Sequence, residues 1–145
     1  MGDLYDTDVL EWSEQQAGLL RRHAAGEKLN ERPDWDNIIE EIESVGREQL
    51  HSVEGLLLQA MLHELKAQAW PLSQEVEKWR AEAKLFRSQA SLRFAPSMRQ
   101  KLDLDRLYAK ALRAMPDTMH GRRPGPVPQS CPWALPRLLE DADEP

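Results

Sequence analysis

One stretch limits the possible folds more than any other. From Asp34 to about Gln68 the chain reads as a single helix of roughly nine turns, about 50 Å at 1.5 Å per residue. An amphipathic rod of that length has to be covered by other elements. Asp34 is a suitable N-cap after Pro33, and Asp36, Glu40, Glu41 and Glu43 complement the positive end of the helix dipole. At about 100° per residue, Trp35, Ile38, Ile39, Ile42, Val45, Gly46, Gln49, Val53, Leu56 and Ala60 fall in one sector, an apolar seam expected to pack on neighbouring helices. Past Leu56 the apolar surface widens through Leu57, Leu58, Met61, Leu62 and Leu65, which puts the expected centre of the protein there. Gly46 costs about 1 kcal/mol relative to Ala inside a helix, so its place on the seam predicts close approach of another backbone, or else a slight bend.

The flanking sequence supplies the expected cover. A first helix should start near Asp8, where Glu11 completes a capping-box pattern, and run to about Ala25 before Gly26. Its inward stripe reads Val9, Trp12, Gln16, Leu19, Leu20 and His23, with Leu4 and Tyr5 folding back as a hydrophobic staple. The long helix must stop before Pro71. Ser73 can cap a third helix carrying Val76, Trp79, Ala83, Phe86 and Ala90 at helical spacing. A fourth is expected from Pro96 or Ser97 to Met115, with Leu104, Leu107, Tyr108, Ala111 and Met115 on one face and Arg99, Arg106, Lys110 and Arg113 on another. Residues 116–131 are a Pro/Gly/Arg connector that cannot continue a helix, and residues 132–145 read as a tail docking through Trp133, Leu135, Leu138 and Leu139. No segment has strand periodicity. The expected architecture is therefore all-α: one four-helix bundle-like domain over residues 1–145, with residues 1–115 forming the bundle, a long central helix and a short docked C-terminal segment.

At 145 residues such a domain buries roughly 70% of the surface its unfolded chain exposes and needs no staple. Cys131 is the only cysteine, so no intrachain disulfide can form. The longest apolar run, Leu56 to Leu58, is far too short to span a membrane, and no basic-then-apolar leader opens the sequence. A cytoplasmic protein is the expectation.

The net charge of −6 is unevenly spread: fourteen Asp/Glu face five Lys/Arg over residues 1–55, while three face ten over residues 78–113. Mutual neutralisation within one bundle is the expected use of this segregation. A basic face for an anionic partner, made by Arg99, Arg106, Lys110 and Arg113, is the weaker reading. Nucleic acid is disfavoured, because the total is acidic and no aromatic residues interleave with the basic ones.

No arrangement converges on a reaction. Glu48 and His51 have the E-x-x-H spacing of di-iron bundles, but no second pair accompanies them. His63 is a ligand-binding candidate together with Glu41 and Glu40, yet these lie more than about 15 Å away along the same helix; a histidine satisfied by a neighbouring helix is preferred. Glu40, Glu41 and Glu43 splay around the helix and form no paired carboxylate site by themselves; Glu41 or Glu43 is expected to pair with an Arg or Lys of the third or fourth helix. Cys131 reads as a docked apolar residue rather than a nucleophile, and the tryptophans as core anchors. No phosphate-binding, dinucleotide-binding, nucleophile-elbow or H-E-x-x-H motif is present. No catalytic residue, metal or cofactor is assigned. The functional expectation is a non-enzymatic protein acting on a protein partner or on itself as an oligomer. The alternative is a small-molecule or metal-binding bundle, including a hydrolase, built on His63 and carboxylates of other helices.

Several landmarks combine into a resemblance. Leu4-Tyr5-Asp6 with Asp8 and Trp12, Asp34-Trp35, Glu40-Glu41-Ile42-Glu43-Ser44-Val45-Gly46, His63 with Lys66, Trp79, Pro96-Ser97-Met98, Tyr108 and Cys131-Pro132-Trp133 resemble the bacterial family called domain of unknown function 29. The likeness covers nearly the whole chain, and the Glu-Glu-Ile-Glu-Ser block is its most specific part. It implies an all-α bacterial protein and implies no activity. Glu64 and Ala67 depart from the family pattern, which has an aliphatic residue and a tryptophan there, so a role for the histidine block is less secure in this chain.

Overall fold

A long helix, α3 (Trp35–Ala69), runs without interruption through the middle of the sequence. It is seen in a computed structural model that describes residues 3–139. Around it in chain order come α1 (Leu4–Thr7), α2 (Val9–Ala24), α4 (Val76–Arg93), a short 3₁₀ turn (Pro96–Met98), α5 (Leu104–Ala114) and α6 (Leu135–Leu138). The protein is all-α with four principal helices, and among the described residues the only extended pairing is an isolated bridge between Met119 and Arg122. The chain divides into two compact units, Met1–Arg47 and Glu48–Pro145.

In the first unit, Asp8 caps α2 by accepting the Glu11 N–H at 3.1 Å, and Gly26, at φ +84°, provides the left-handed residue that ends the turn after α2. Trp12, Leu19 and Ile38 are buried. The expected seam does not close here: Ile39, Ile42 and Val45 are 51%, 68% and 61% exposed, and Val9, expected to face inward, is 55% exposed. Two helices share only one mutual face. Ile38 occupies it, and the neighbouring isoleucines turn outward. Gly46 also departs from expectation, because a Cβ built there meets nothing within 4 Å.

In the second unit the same helix is enclosed. Val53, Leu57, Ala60, Met61 and Leu65 are fully buried, and Val53, Leu57, Met61 and Leu65 cluster with Ala90 of α4, Leu107, Tyr108 and Ala111 of α5, and Leu138 and Leu139. The fourth predicted helix is split. The 3₁₀ turn occupies its start, and α5 begins only where Asp103 accepts the Arg106 N–H at 3.1 Å, a cap strong enough to set a new helix start. The proline-rich connector is tied down by hydrogen bonds: Trp70 Nε1–H donates to the Arg122 carbonyl at 3.1 Å, the Tyr108 hydroxyl to the Pro128 carbonyl, and Gly125 N–H to the Ala69 carbonyl at 2.8 Å. The close backbone approach expected at Gly46 occurs instead at Gly125, where a Cβ would lie 3.1 Å from the Ala69 oxygen. His120 (φ 52°) and Gly121 (φ 74°) form the tight turn between the bridged residues. The expected tail beyond Leu139 lies outside the described residues.

Candidate interaction surface

The outward stripe of α3 is fixed by the network at the helix start. Asp34 Oδ2 accepts from Trp12 Nε1–H at 2.9 Å and from Asn37 Nδ2–H at 2.8 Å, while Gln16 Oε1 accepts the Asp34 backbone N–H at 2.7 Å. The Asn37 and Trp12 hydrogen bonds hold the Asp34 carboxyl below its ordinary pKa. The Tyr5 ring meets Trp12 edge-on, with centroids 4.8 Å apart, and the Tyr5 hydroxyl donates to Glu41. That bond, with the nearby carboxylate charge and some desolvation, pushes the Tyr5 phenol up to about 12. These contacts set the rotation of α3 and turn Ile39 and Ile42 from the contact face, whereas Val45, about 20° from Ile38 at 100° per residue, is exposed because it stands two turns further along the helix.

Glu41 and Glu43, one of which is expected to pair with the third or fourth helix, find partners in their own unit, as does Glu40. Glu40 accepts from Arg47 Nη2 at 2.6 Å, Glu43 lies 3.7 Å from Arg47 Nη1, and Glu41 holds Tyr5. Both Arg47 pairs are about half exposed, so they contribute little to stability. At about 100° per residue, Glu41 and Glu43 flank the stripe on opposite sides, with Asp36 beside Glu43. The surface is therefore an apolar strip of about 9 Å from Ile39 to Val45 at 1.5 Å per residue, with Glu41 and Glu43 on either side of it engaged by Tyr5 and Arg47.

His63, the candidate ligand, belongs to the second unit, and Glu40 and Glu41 to the first. Its Nδ1 lies 2.7 Å from the Gln59 carbonyl and its Nε2 2.9 Å from Glu82, with the ring tilted against Phe86. Both ring nitrogens are engaged in this arrangement, which leaves neither open to a ligand. Among the described residues no group of three His, Cys, Asp or Glu could hold a metal ion. The four basic candidates also fall apart as a stripe. Arg99 precedes α5 and lies 5.5 Å over the Phe94 ring, and Arg106 Nη2 is committed to the nearly buried Glu54 at 2.9 Å. Lys110 and Arg113 remain as neighbours on α5. Burial pushes the Cys131 thiol up, and the thiol sits 3.4 Å from the Trp133 carbonyl, an environment for a packed side chain rather than a nucleophile. An open cleft of about 620 Å³ lined by Leu112, Met115, Asp117, Thr118 and Arg123 mixes one cation with one anion.

Residues 4–142 match the family described as "Domain of unknown function DUF29". The chain belongs to the DUF29 family. No curated protein matches it. A crystal structure of an alpha-helical protein of unknown function from Rhodospirillum rubrum is similar to this DUF29 chain over 97% of its length and 92% of the other, with a TM-score of 0.60 and 22% identity. At that identity the likeness establishes the all-α fold and nothing about activity.

Sequence reasoning placed the DUF29 chain's isoleucines correctly on one sector but assigned them to the core. The signal that they face outward was present in their rims: Glu41 and Glu43 leave the Ile42 sector narrower than the Leu56–Leu65 surface, which covers most of the circumference. The second exposed stripe, on α4, went unnoticed. It carries Leu85 and Leu92, which at a spacing of seven share one face.

Proposed function

We propose that this DUF29 protein is a non-enzymatic cytoplasmic protein of bacteria that acts by protein–protein contact, its acid-rimmed isoleucine stripe receiving a basic amphipathic helix. The exposure of Ile39, Ile42 and Val45 side by side on one helix face supports this reading most directly. Single exposed apolar residues are ordinary, whereas a contiguous apolar strip with polar rims is the form of a protein-binding site. A helix laid along such a strip reads it through anchors three, four and seven residues apart. The acidic rims select cations on the incoming helix and raise its association rate. The cytoplasmic assignment is supported by the lone cysteine and by the described helices, none of which is long and apolar enough to cross a membrane.

The test is titration of the full chain with a synthetic amphipathic helix of leucine and lysine, followed by calorimetry. Saturable binding is expected, lost in Ile42→Asp and weakened in Glu43→Lys. Binding that is indifferent to Ile42→Asp would overturn the reading.

A further inference from the structure

The isoleucine stripe ends where the cover of α3 itself runs out. From Ile39 to Ser52 no residue of the helix is buried, and Val45, Gly46, Arg47, Glu48 and Gln49 are all exposed. At about 100° per residue, five consecutive residues point in every direction around a helix, so no side of α3 is packed there. The last buried residue before the gap is Ile38 and the first after it is Val53, a separation of about 22 Å at 1.5 Å per residue. The division of the chain into its two compact units falls inside this gap, between Arg47 and Glu48.

Helices in proteins draw most of their stability from the packing of one face, and a few unpacked turns are marginal in water. The bridge from Val45 to Gln49 has no packed face. It is helical because it is propagated from a packed turn on either side. Near its centre stands Gly46, which lowers helix stability and whose missing Cβ makes room for no neighbour. The local support comes from Arg47, whose guanidinium donates to Glu40 at 2.6 Å and to Ser44 at 2.9 Å and lies 3.7 Å from Glu43. All three partners belong to Met1–Arg47, so this clasp stops at the division and does not cross it. Gly55 gives the contrast. A Cβ there also meets open space, but buried Val53, Glu54 and Leu57 flank it, and packing holds the helix at that point whatever the propensity of the residue.

We infer that residues 45–49 are a joint in α3: the helix opens there by losing its own backbone hydrogen bonds while the packed turns on both sides stay closed. Opening of this kind is local unfolding drawn from the low end of the protein's range of stabilities. It uncouples the two units, because a displacement at one end of α3 is taken up at the joint before it reaches the other.

Hydrogen exchange of the full chain, resolved amide by amide by NMR, tests this. The amides of Arg47 to His51 bond to carbonyls of residues 43–47 and should exchange about a hundredfold or more faster than those of Leu57 to Leu65. Gly46→Ala should slow the joint amides by about fivefold, and Gly55→Ala should leave them unchanged. Leu57→Ala should speed the core amides by about thirtyfold or more without moving those of the joint, since the core stays intact in the locally open state. Urea below the unfolding transition makes the same distinction in wild type: exchange in the core should accelerate with urea, and exchange at the joint should respond little, because local opening exposes little surface.

Joint amides as protected as those of the core would overturn the inference. So would joint and core amides that accelerate together in Leu57→Ala or in urea, since the bridge would then open only when the whole protein unfolds. Equal slowing of the joint by Gly46→Ala and Gly55→Ala would overturn it as well, because the opening would then extend into the packed half of α3.

Discussion

The two halves of α3 put the same kind of residue to opposite uses. In Glu48–Pro145 its leucines and methionine, Leu57, Met61 and Leu65, are enclosed by α4, α5 and the residues around α6. In Met1–Arg47, Trp12 of α2 and Tyr5 of α1 contact one face, and Ile39 and Ile42 beside it are left to solvent. What differs is the means of fixing the helix. The second half is held by apolar burial, the first by a polar network of Tyr5, Trp12, Gln16, Asp34, Asn37 and Glu41. A helix positioned by hydrogen bonds at its start can leave an apolar face uncovered without losing its orientation, and an uncovered face can be used for binding.

The largest effect that could break this contrast is a pair of truncations. Leu57→Ala should destabilise the protein by about 2–5 kcal/mol, the cost of a cavity in a closed core, whereas Ile42→Ala should stay within about 0.5 kcal/mol, as for an exposed site. Urea unfolding of both variants checks it, and equal losses would mean that Ile42 is not exposed in solution. Next in size is the charge inside the enclosed half. Arg106→Ala leaves the Glu54 carboxylate with 11% of its side-chain surface in water and without its partner. A fully buried broken pair costs about 3–5 kcal/mol. The half-exposed arginine lowers that to about 1–3 kcal/mol, and Glu54→Gln in the same background should recover part of it. Recovery is read from the same unfolding curves; its absence would show that Arg106 stabilises only through its stem.

The contrast also explains what could be read from the sequence. Helix positions were legible because caps and breakers act locally: Asp8, Gly26, Pro71 and the apolar spacing of α4 place the ends of four principal helices within a few residues. The start of α5 was not, because Pro96-Ser97 and Asp103 are both plausible helix starts and only packing decides between a 3₁₀ turn and a continuous helix. Which side of α3 is covered was the least legible. Periodicity reports that Ile38, Ile39, Ile42 and Val45 share a sector, but it cannot say where along the helix the cover ends: Ile38, at the level of the Trp12–Asp34 contact, is buried, and Val45, about 20° from it at 100° per residue and two turns further on, is exposed. The same holds for charge. Composition shows a −9 segment and a +7 segment, and it cannot say whether they meet inside one molecule or between two.

Gly46 gives a smaller effect with an informative sign. Its would-be Cβ points into open space, so Gly46→Ala should raise stability by about 0.5–1 kcal/mol through helix propensity. A loss of stability on urea unfolding would show that a neighbour does approach Gly46 in solution.

The smallest expected effect is in pH, and it separates the polar network from the apolar core. Asp34 has a lowered pKa in the folded state, so its contribution is present above the unfolded carboxyl value, about 3.9, and is lost as pH falls through the lower folded value. Tyr5 is shifted the other way, up to about 12 from 10.0. Its contribution is complete below pH 10 and disappears as pH rises through 12, when the phenolate would face Glu41. Both groups belong to the first unit, so melting followed by Trp12 and Trp35 fluorescence should weaken at both pH extremes. Replacing Tyr5 with Phe should flatten the alkaline limb and leave the acid limb in place. Replacing Trp12 with Phe, which removes one donor to Asp34, should shrink the acid limb. If neither limb responds to its own substitution, hydrogen bonding at the start of α3 is not what holds the isoleucine stripe outward, and the contrast between the two halves reduces to a difference in burial alone.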